Sequence, residues 1–242
     1  MINFVIPMAG RGTRFTEMGY DLPKFLIEVH GKTLLEYSLE SMPIKQGDGI
    51  IFVALREHDK KYDLKMIIAS ILGNGEFELI TVPEVTRGQA ETVLQARTLI
   101  DNKDDLVIYN IDTYFRSEVL RDKLENNDKK LDGVLGCMEV APGDVKWSFA
   151  KVDDSGVVIE TAEKVQISTH ALTGLYHFSA GCDFVRVARR HIEADRRYKN
   201  EYYIAPMYND LIAEGKRYVL DPVDAFVPLG TPEDLEQFRE NG

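Results

Sequence analysis

The chain opens with INFVIPMAGRGTRF, residues 2–15, an apolar run followed by a loop rich in glycine. Apolar residues without alternation are typical of a strand that is covered on both faces of a parallel sheet. Gly10 and Gly12 allow backbone N–H groups to approach an anion with no Cβ in the way. Arg14 can add a bidentate contact to phosphate oxygens. This stretch therefore predicts a buried first strand whose carboxyl end carries an anion-binding loop.

The alternation of strand and helix continues through the first half of the chain. Apolar runs predict further strands at 50–55, 77–82 and 106–109, and apolar residues at helical spacing predict helices between them. Thr33 and Glu36 have the spacing of a capping box, which marks the start of one of these helices. Four strand–helix steps predict an α/β fold of three layers, with a mostly parallel sheet and right-handed crossovers.

The second half reads differently. A turn at 153–156 between two short strands, 149–152 and 157–160, predicts an antiparallel hairpin. A strand is expected at 173–178, and helices are expected near 181–194 and 203–214. The sequence TPED, residues 231–234, predicts the start of a final helix that runs to about Arg239. With no repeat or linker-like stretch, the sequence predicts one domain over residues 1–242.

Composition excludes several classes of protein. The 242 residues include 29 Lys and Arg against 40 Asp and Glu, a formal net charge of −11. This balance argues against a nucleic-acid binder or a protein held on an anionic membrane by charge. Two cysteines, no basic leader and no apolar run of about 20 residues favour a soluble protein of the reducing cytoplasm. The sequence leaves open whether the protein forms homo-oligomers.

Four more short motifs carry side chains suited to phosphate chemistry. A lysine after a proline, Lys24, stands on a stiff segment and can bring a point charge to a phosphate. The stretch RGQAET, residues 87–92, places small residues where a helix begins, and a base can lie against Gly88. Asp112 ends a buried strand, where a carboxylate can hold Mg²⁺ against phosphate oxygens. Each motif alone also fits an ordinary surface, turn or cap residue, as does the adjacent pair Glu163 and Lys164.

The order and spacing of these motifs resemble those of the sugar-phosphate nucleotidyltransferases, also called NDP-sugar pyrophosphorylases. The resemblance covers nearly the whole chain, from GRGTR at 10–14 and PK at 23–24 to GTPED at 230–234. The opening IPMAG, residues 6–10, is similar to a branch of bacterial capsule and surface-polysaccharide enzymes that includes cytidylyltransferases. The resemblance implies a Rossmann-like, GT-A-like fold, with a nucleotide-binding half at 1–112 and an acceptor-binding half at 113–242.

The resemblance also implies a role for each motif. Arg14, Lys24 and Lys164 would be the catalytic cations, and Asp112 would bind the Mg²⁺ cofactor. Glu163, Lys164 and Gly174 would contact the acceptor. The residues implied in nucleotide binding are Met8, Ala9, Gly10, Arg11, Gly12, Thr13, Arg14, Lys24, Gly88, Gln89, Asn110 and Asp112.

Two departures from the family pattern concern the metal. Ile111 replaces a glycine before the metal-binding aspartate and is expected to crowd the nucleotide. Pro228 stands where many members have a second metal-binding aspartate. Either Asp112 holds the ion with waters and phosphate oxygens alone, or another carboxylate such as Asp224 substitutes.

The implied reaction transfers a nucleoside monophosphate, CMP before dTMP or UMP, from a nucleoside triphosphate to a phosphorylated sugar or other small metabolite, with release of pyrophosphate. Two alternatives stay open. One is a glycosyltransferase of similar architecture, although an Asp-x-Asp pair is absent from the sequence. The other is a nucleotide-binding module without catalytic activity, which Pro228 suggests.

Overall fold

The central feature of the fold is a sheet of nine strands, accompanied by two ribbons of two strands each. The computed structural model describes residues 1–73, 75–125 and 131–241. In chain order the strands are β1 (Ile2–Met8), β2 (Glu28–Val29), β3 (Lys32–Thr33), β4 (Gly49–Leu55), β5 (Glu78–Val82), β6 (Asp105–Tyr109), β7 (Thr113–Arg116), β8 (Gly133–Glu139), β9 (Ser148–Val152), β10 (Val158–Glu163), β11 (His170–Phe178), β12 (Tyr218–Pro222) and β13 (Ala225–Pro228).

The helices are short, and α8 has 13 residues. Within the described ranges, none of them is long and apolar enough to cross a membrane. In chain order the α-helices are α1 (Thr13–Glu17), α2 (Leu34–Glu40), α3 (Arg56–Tyr62), α4 (Leu64–Leu72), α5 (Gln89–Val93), α6 (Arg97–Ile100), α7 (Leu120–Glu125), α8 (Gly181–Glu193), α9 (Met207–Ala213) and α10 (Pro232–Asn241), and short 3-10 turns span Lys24–Leu26 and Leu94–Ala96.

The order of strands in the sheet confirms the predicted α/β fold. Its main path runs β10-β9-β11-β6-β1-β4-β5, and β8 and β12 are attached beside β11. The four strands predicted in the first half, β1, β4, β5 and β6, are neighbours and pair in parallel. β11 pairs antiparallel with β6, β8 and β9, whereas β12 at the outer side of β8 pairs with it in parallel. One sheet therefore runs through both halves of the chain.

The first strand separates two hydrophobic cores. Val5 of β1 packs in the core that also contains Val93 and Phe184. Phe4 and Ile6, which point to the other face, pack in the core that contains Leu35. All three β1 residues are fully buried. The apolar run is thus explained by helices on both faces of a parallel strand, as the sequence predicts.

Both predicted helix starts are present with their hydrogen bonds. The backbone N–H of Glu36 donates to Thr33 Oγ1, and the carboxylate of Glu36 accepts from the backbone of Thr33, which completes the capping box of α2. At α10 the N–H of Asp234 donates to Thr231 Oγ1 at 3.1 Å, and the N–H of Thr231 donates to Asp234 Oδ2 at 3.0 Å. Helix α10 continues to Asn241, two residues beyond the predicted end.

Two predicted helices differ from the structure. The helix predicted between the strands at 77–82 and 106–109, where Val93, Ala96 and Ile100 have helical spacing, is divided into α5, a 3-10 turn and α6. The helix expected at 203–214 begins only at Met207, because the backbone of Tyr202 is held elsewhere. Its N–H donates to Arg87 O at 2.8 Å, and its carbonyl accepts from Ala90 N at 3.0 Å. These contacts keep the chain before Pro206 out of the helix.

Candidate active site

A cavity of about 500 Å³ opens at the carboxyl ends of β1 and β6. In open α/β sheets, ligands bind at this edge, and the volume suits a small molecule. Every residue predicted to bind nucleotide lines it. The described residues that line the cavity are Pro7, Met8, Ala9, Gly10, Arg11, Gly12, Thr13, Arg14, Phe15, Lys24, Phe25, Val85, Thr86, Gly88, Gln89, Thr92, Asn110, Ile111, Asp112, Glu201, Tyr203 and Gly230.

The glycine-rich loop and the lysine segment pack directly against each other. Gly12 has φ +63°, and a Cβ on this residue would lie 3.3 Å from Lys24 Cβ. Glycine meets both demands, a left-handed backbone and a close approach, without strain. Thr13 and Arg14 follow at the start of α1 and are exposed. The loop therefore presents its backbone and an unburied guanidinium beside Lys24.

Lys24 forms an ion pair with Asp112 on the cavity wall. The Nζ atom lies 2.8 Å from Asp112 Oδ2, and the two side chains are 17% and 29% exposed. The buried side chains of Phe25 and Leu26 anchor the lysine segment. On the other side, the carbonyl of Asp112 accepts a hydrogen bond from Leu229 N at 2.8 Å. Both members of the pair are thus fixed by their own backbone surroundings.

Asn110 connects the start of α5 with β11. The side chain of Gln89 donates to Asn110 Oδ1, and the N–H of Asn110 donates to Gly174 O at 3.3 Å. Gly174 has φ +90°, and a Cβ there would lie 2.4 Å from Asn110 Nδ2. Gly174 is buried and makes room for the Asn110 side chain, and it is not among the residues that line the cavity. Its predicted contact with an acceptor stays a prediction.

Gly88 permits a close backbone contact that the sequence does not reveal. It has φ +128°, and a Cβ on it would lie 2.5 Å from Tyr202 N and 2.8 Å from Tyr202 O. The segment around Tyr202 is therefore seated on the start of α5. Its neighbours Glu201 and Tyr203 enter the cavity wall as a result. Sequence reasoning missed both, because they lie in no motif and follow no strand.

The pair Glu163 and Lys164 lies at the end of β10, just beyond the cavity lining. Lys164 contacts a residue of the cavity wall, since its Nζ lies 2.8 Å from Tyr203 Oη. Glu163 accepts a hydrogen bond from Ser148 Oγ and lies 3.7 Å from Lys164 Nζ. Burial raises the pKa of Glu163, while the Ser148 hydroxyl and the Lys164 ammonium oppose that effect.

The residues around Asp112 fit one divalent cation completed by a ligand. In the described part of the chain, no group of three or more His, Cys, Asp or Glu residues is arranged to hold a metal. Mg²⁺ commonly takes one or two carboxylates and completes its shell with waters and phosphate oxygens. Asp112 Oδ2 faces Gly230, where a Cβ would lie 3.5 Å from it and 3.8 Å from Asp234 Oδ2. Asp234 Oδ2 already accepts the cap hydrogen bond from Thr231 N, so Asp112 is the carboxylate left to hold a cation at this point.

The structure does not bring Asp224 to Asp112. In the ribbon of β7 and β13, Pro228 pairs with Thr113 while Ala225 pairs with Arg116, so Asp224 lies at the far end. Its Oδ2 accepts from Glu118 N at 2.9 Å. The suggestion that Asp224 substitutes for a second metal ligand is therefore wrong.

Ile111 is 8% exposed and packs in the core with Phe4 and Ile6, although it also touches the cavity wall. Most of its side chain is therefore buried in that core, and the crowding of a nucleotide expected at this position stays a prediction.

The fold and this constellation of residues define the class of protein. The family model described as nucleotidyl transferase matches residues 4–240. The chain therefore belongs to the nucleotidyl transferase family and is of the NDP-sugar pyrophosphorylase type.

Three relatives illustrate that membership. A nucleoside-diphosphate-sugar pyrophosphorylase from Vibrio cholerae RC9 is 32% identical, with a TM-score of 0.86 over 98% of this chain and 100% of that chain. The UTP–glucose-1-phosphate uridylyltransferase AglF of Haloferax volcanii is 22% identical over 98% of this chain and 94% of that protein. The bifunctional protein GlmU of Methanococcus vannielii is 34% identical over 116 residues, which are 48% of this chain but only 26% of that protein.

Proposed function

We propose that this chain transfers a nucleoside monophosphate from a nucleoside triphosphate to a phosphorylated small molecule, with release of pyrophosphate. One observation carries the proposal. The glycine-rich loop, Lys24 and Asp112 come from three separate stretches of sequence and meet around one cavity, with Lys24 Nζ 2.8 Å from Asp112 Oδ2. A loop of backbone N–H groups, two kinds of cation and one carboxylate suit a magnesium-bound triphosphate.

The proposed reaction is an in-line attack of an acceptor phosphate oxygen on the α-phosphorus of the triphosphate. The new bond joins that oxygen to the α-phosphorus, and the bond that breaks releases pyrophosphate. A phosphate monoester has its second pKa near about 6 and is mostly a dianion at neutral pH. The attacking group therefore needs no general base. The obstacle is repulsion between two polyanions, so positioning and charge stabilisation supply most of the catalysis.

The cationic side chains of this protein would reduce that repulsion from the triphosphate side and from the acceptor side. The backbone of the loop at 10–13 and the exposed Arg14 would hold the triphosphate. Lys24, which lies beside Gly12, would neutralise the phosphates of both the donor and the acceptor. On the acceptor side, Lys164 extends toward the cavity against Tyr203.

Divalent metal is general among nucleotidyl transferases of this family. We propose Mg²⁺ for this chain, held by the Asp112 carboxylate together with phosphate oxygens. When bound, Mg²⁺ would neutralise phosphate charge at the reacting phosphorus. The ion pair with Lys24 shows that Asp112 already stabilises a positive charge at this point of the cavity.

The nucleotide and the acceptor are proposed from the resemblance of the opening IPMAG to capsule and surface-polysaccharide enzymes, some of which are cytidylyltransferases. CTP is the first candidate donor, ahead of dTTP and UTP. The acceptor would be a phosphorylated sugar or another small phosphorylated metabolite. Thr86 and Gln89, around the start of α5, and Asn110, just after β6, line the cavity with hydroxyl and amide groups of the kind that would pair with a pyrimidine. Gln89 donates to Asn110, and Thr86 shares a hydrogen bond with Thr92, so a base would have to replace these contacts.

The test is a matrix of nucleoside triphosphates against phosphorylated metabolites, with and without MgCl₂, read by release of pyrophosphate. We expect release that requires both substrates and the metal. The matched variants are Lys24→Ala, at the cavity, and Lys60→Ala, an exposed lysine of α3. Binding of nucleotide with no pyrophosphate from any acceptor would favour the module without catalytic activity. Turnover of a finished nucleotide sugar without pyrophosphate would favour the glycosyltransferase.

A further inference from the structure

Tyr203 is the principal contact of Lys164. Lys164 Nζ donates a hydrogen bond to Tyr203 Oη at 2.8 Å and lies 4.7 Å from the centre of the same aromatic ring. The carboxylate oxygen Glu163 Oε1, which also lies beside the ammonium, is more distant at 3.7 Å. A cation that is hydrogen-bonded to a hydroxyl oxygen and lies over the ring of the same residue has little freedom to move. The position of the Lys164 ammonium therefore depends on Tyr203.

The backbone around Tyr203 is fixed to the opposite side of the cavity. Tyr202, the residue before it, exchanges two backbone hydrogen bonds with Arg87 and Ala90 and lies against Gly88. A second pair of backbone bonds joins Tyr198 and Glu201, at 3.0 and 2.9 Å. The segment at 198–203 thus forms a hydrogen-bonded turn that packs against the start of α5. Through it, the motif proposed for the nucleotide base is connected to the lysine proposed for the acceptor.

The hydroxyl of Tyr203 has a hydrogen to give. Its oxygen accepts from Lys164, so its O–H hydrogen can be donated, and the Glu201 carboxylate on the same cavity wall is the acceptor beside it in this structure. Burial raises the pKa of Tyr203, and the carboxylates of Glu201 and Glu163 add to the effect, so the hydroxyl stays protonated at neutral pH. Tyr203 also lines the cavity, whereas Lys164 lies behind Tyr203 and is not among the lining residues. A phosphate at this end would take the hydroxyl hydrogen in place of the Glu201 carboxylate, with the Lys164 ammonium directly behind the hydroxyl oxygen.

We propose that Tyr203 is a positioning and specificity residue that holds the Lys164 ammonium and, with it, selects acceptors that carry a phosphate group. This inference rests on the proposed function for its substrate. It deepens that function by assigning the recognition of the acceptor phosphate to a residue outside every motif of the sequence. The segment at 198–203, and not only β10, then determines where the acceptor phosphate lies.

The variant that isolates the hydroxyl is Tyr203→Phe, which keeps the ring beside the ammonium. We expect KM for the phosphorylated acceptor to rise tenfold to a hundredfold, about the value of one hydrogen bond to a charged group. KM for the nucleoside triphosphate is expected to change less than twofold. The control is Tyr198→Phe, because the Tyr198 hydroxyl has no hydrogen bond in the described structure. Its ring lies beside that of Tyr203, with 6.2 Å between the two ring centroids. Equal effects of Tyr203→Phe on both KM values would overturn the specificity role.

A second measurement tests the contact without any turnover. Lysine acylation by an amine-reactive reagent, quantified by mass spectrometry, reports how freely each ammonium is presented. We expect Lys164 to react at least threefold faster in Tyr203→Phe than in the wild type, with the other lysines unchanged. Inorganic phosphate at millimolar concentration should slow the reaction of Lys164 in the wild type and slow it less in the variant.

The two measurements separate the failure of this inference from the failure of the proposed function. If the wild type releases no pyrophosphate with any acceptor, the proposed function fails, and the labelling still decides the role of Tyr203. Unchanged labelling of Lys164 in Tyr203→Phe overturns the positioning role. Faster labelling with an unchanged acceptor KM overturns the selection of acceptors.

Discussion

Lys24 Nζ and Asp112 Oδ2 lie 2.8 Å apart although 88 positions separate the two residues in the sequence. Both side chains are largely buried, so water and salt screen this pair less than an exposed one. In the proposed reaction a triphosphate would bind the lysine, and a divalent cation would bind the carboxylate. The two groups neutralise each other in this structure, and binding of both ligands would exchange this internal pair for two external ones.

Removing the lysine should abolish most of the catalysis without unfolding the protein. For Lys24→Ala we expect kcat/KM to fall by about 10²–10³, by analogy with the loss of one preorganised donor to a developing charge. The melting temperature should stay within a few degrees of the wild type, because the apolar anchors Phe25 and Leu26 remain. Steady-state release of pyrophosphate and thermal unfolding check the two parts. Wild-type turnover in this variant would refute the role of Lys24.

Competition between Lys24 and a cation for Asp112 gives a measurement that needs no substrate. Binding of Mn²⁺ to the nucleotide-free protein, followed by electron paramagnetic resonance, should strengthen about fivefold in Lys24→Met, because a nearby positive charge is lost. In Asp112→Asn it should weaken below detection. Asp224→Asn is the matched control, since that carboxylate lies at the far end of the ribbon. A similar loss of Mn²⁺ in both asparagine variants would contradict the assignment of Asp112.

A methyl group on Gly88 should disturb the segment that carries Tyr203. The added Cβ would meet Tyr202 N at 2.5 Å on a backbone with φ +128°, so Gly88→Ala is expected to lose about 1–3 kcal/mol of unfolding free energy. Urea denaturation measures this loss. Gly10→Ala is the control, because it has open space around it and no positive φ, and it should stay within about 0.5 kcal/mol of the wild type. The idea of a tight backbone contact fails if both variants are equally stable.

Glu163 should make stability depend on pH in a defined direction. Burial raises its pKa in the folded protein above the ordinary value, so its contribution to stability is greatest at low pH, where the side chain is protonated in both states. As pH rises through the raised pKa, ionisation of the buried carboxyl costs stability. Glu163→Gln, which does not ionise, should therefore melt higher than the wild type at pH 7.5, and the advantage should shrink toward pH 4. Glu160→Gln, exposed on the same strand, should show no such trend.

Local patterns in the sequence were enough for the elements that hold the site. The apolar run at 2–6 predicts β1 because both faces of a parallel strand are covered, and helices do cover both faces. The spacing of Thr231 and Asp234 predicts the start of α10, and the structure has both capping hydrogen bonds. These signals are readable because a cap or a buried strand is made by residues close together in the chain.

The gathering of Gly12, Lys24, Gly88 and Asp112 around one cavity follows almost as directly. Residues that come after parallel strands are brought to one edge of the sheet by the topology itself. A sequence that predicts the parallel strands thereby predicts which motifs become neighbours. It does not predict which atoms will touch.

Only the tertiary structure decided the contacts that depend on strand register and on chain segments without a motif. The pairing of Pro228 with Thr113 places Asp224 at the end of the ribbon that is far from Asp112. The close packing of the Tyr202 backbone against Gly88 places Tyr203 in contact with Lys164. No local spacing encodes these relationships, because each is fixed by how two distant segments pack and by which side of a backbone faces the other. The sequence alone thus determined the parallel strands and the charged residues that follow them. Packing between distant segments determined which partner each charged group contacts.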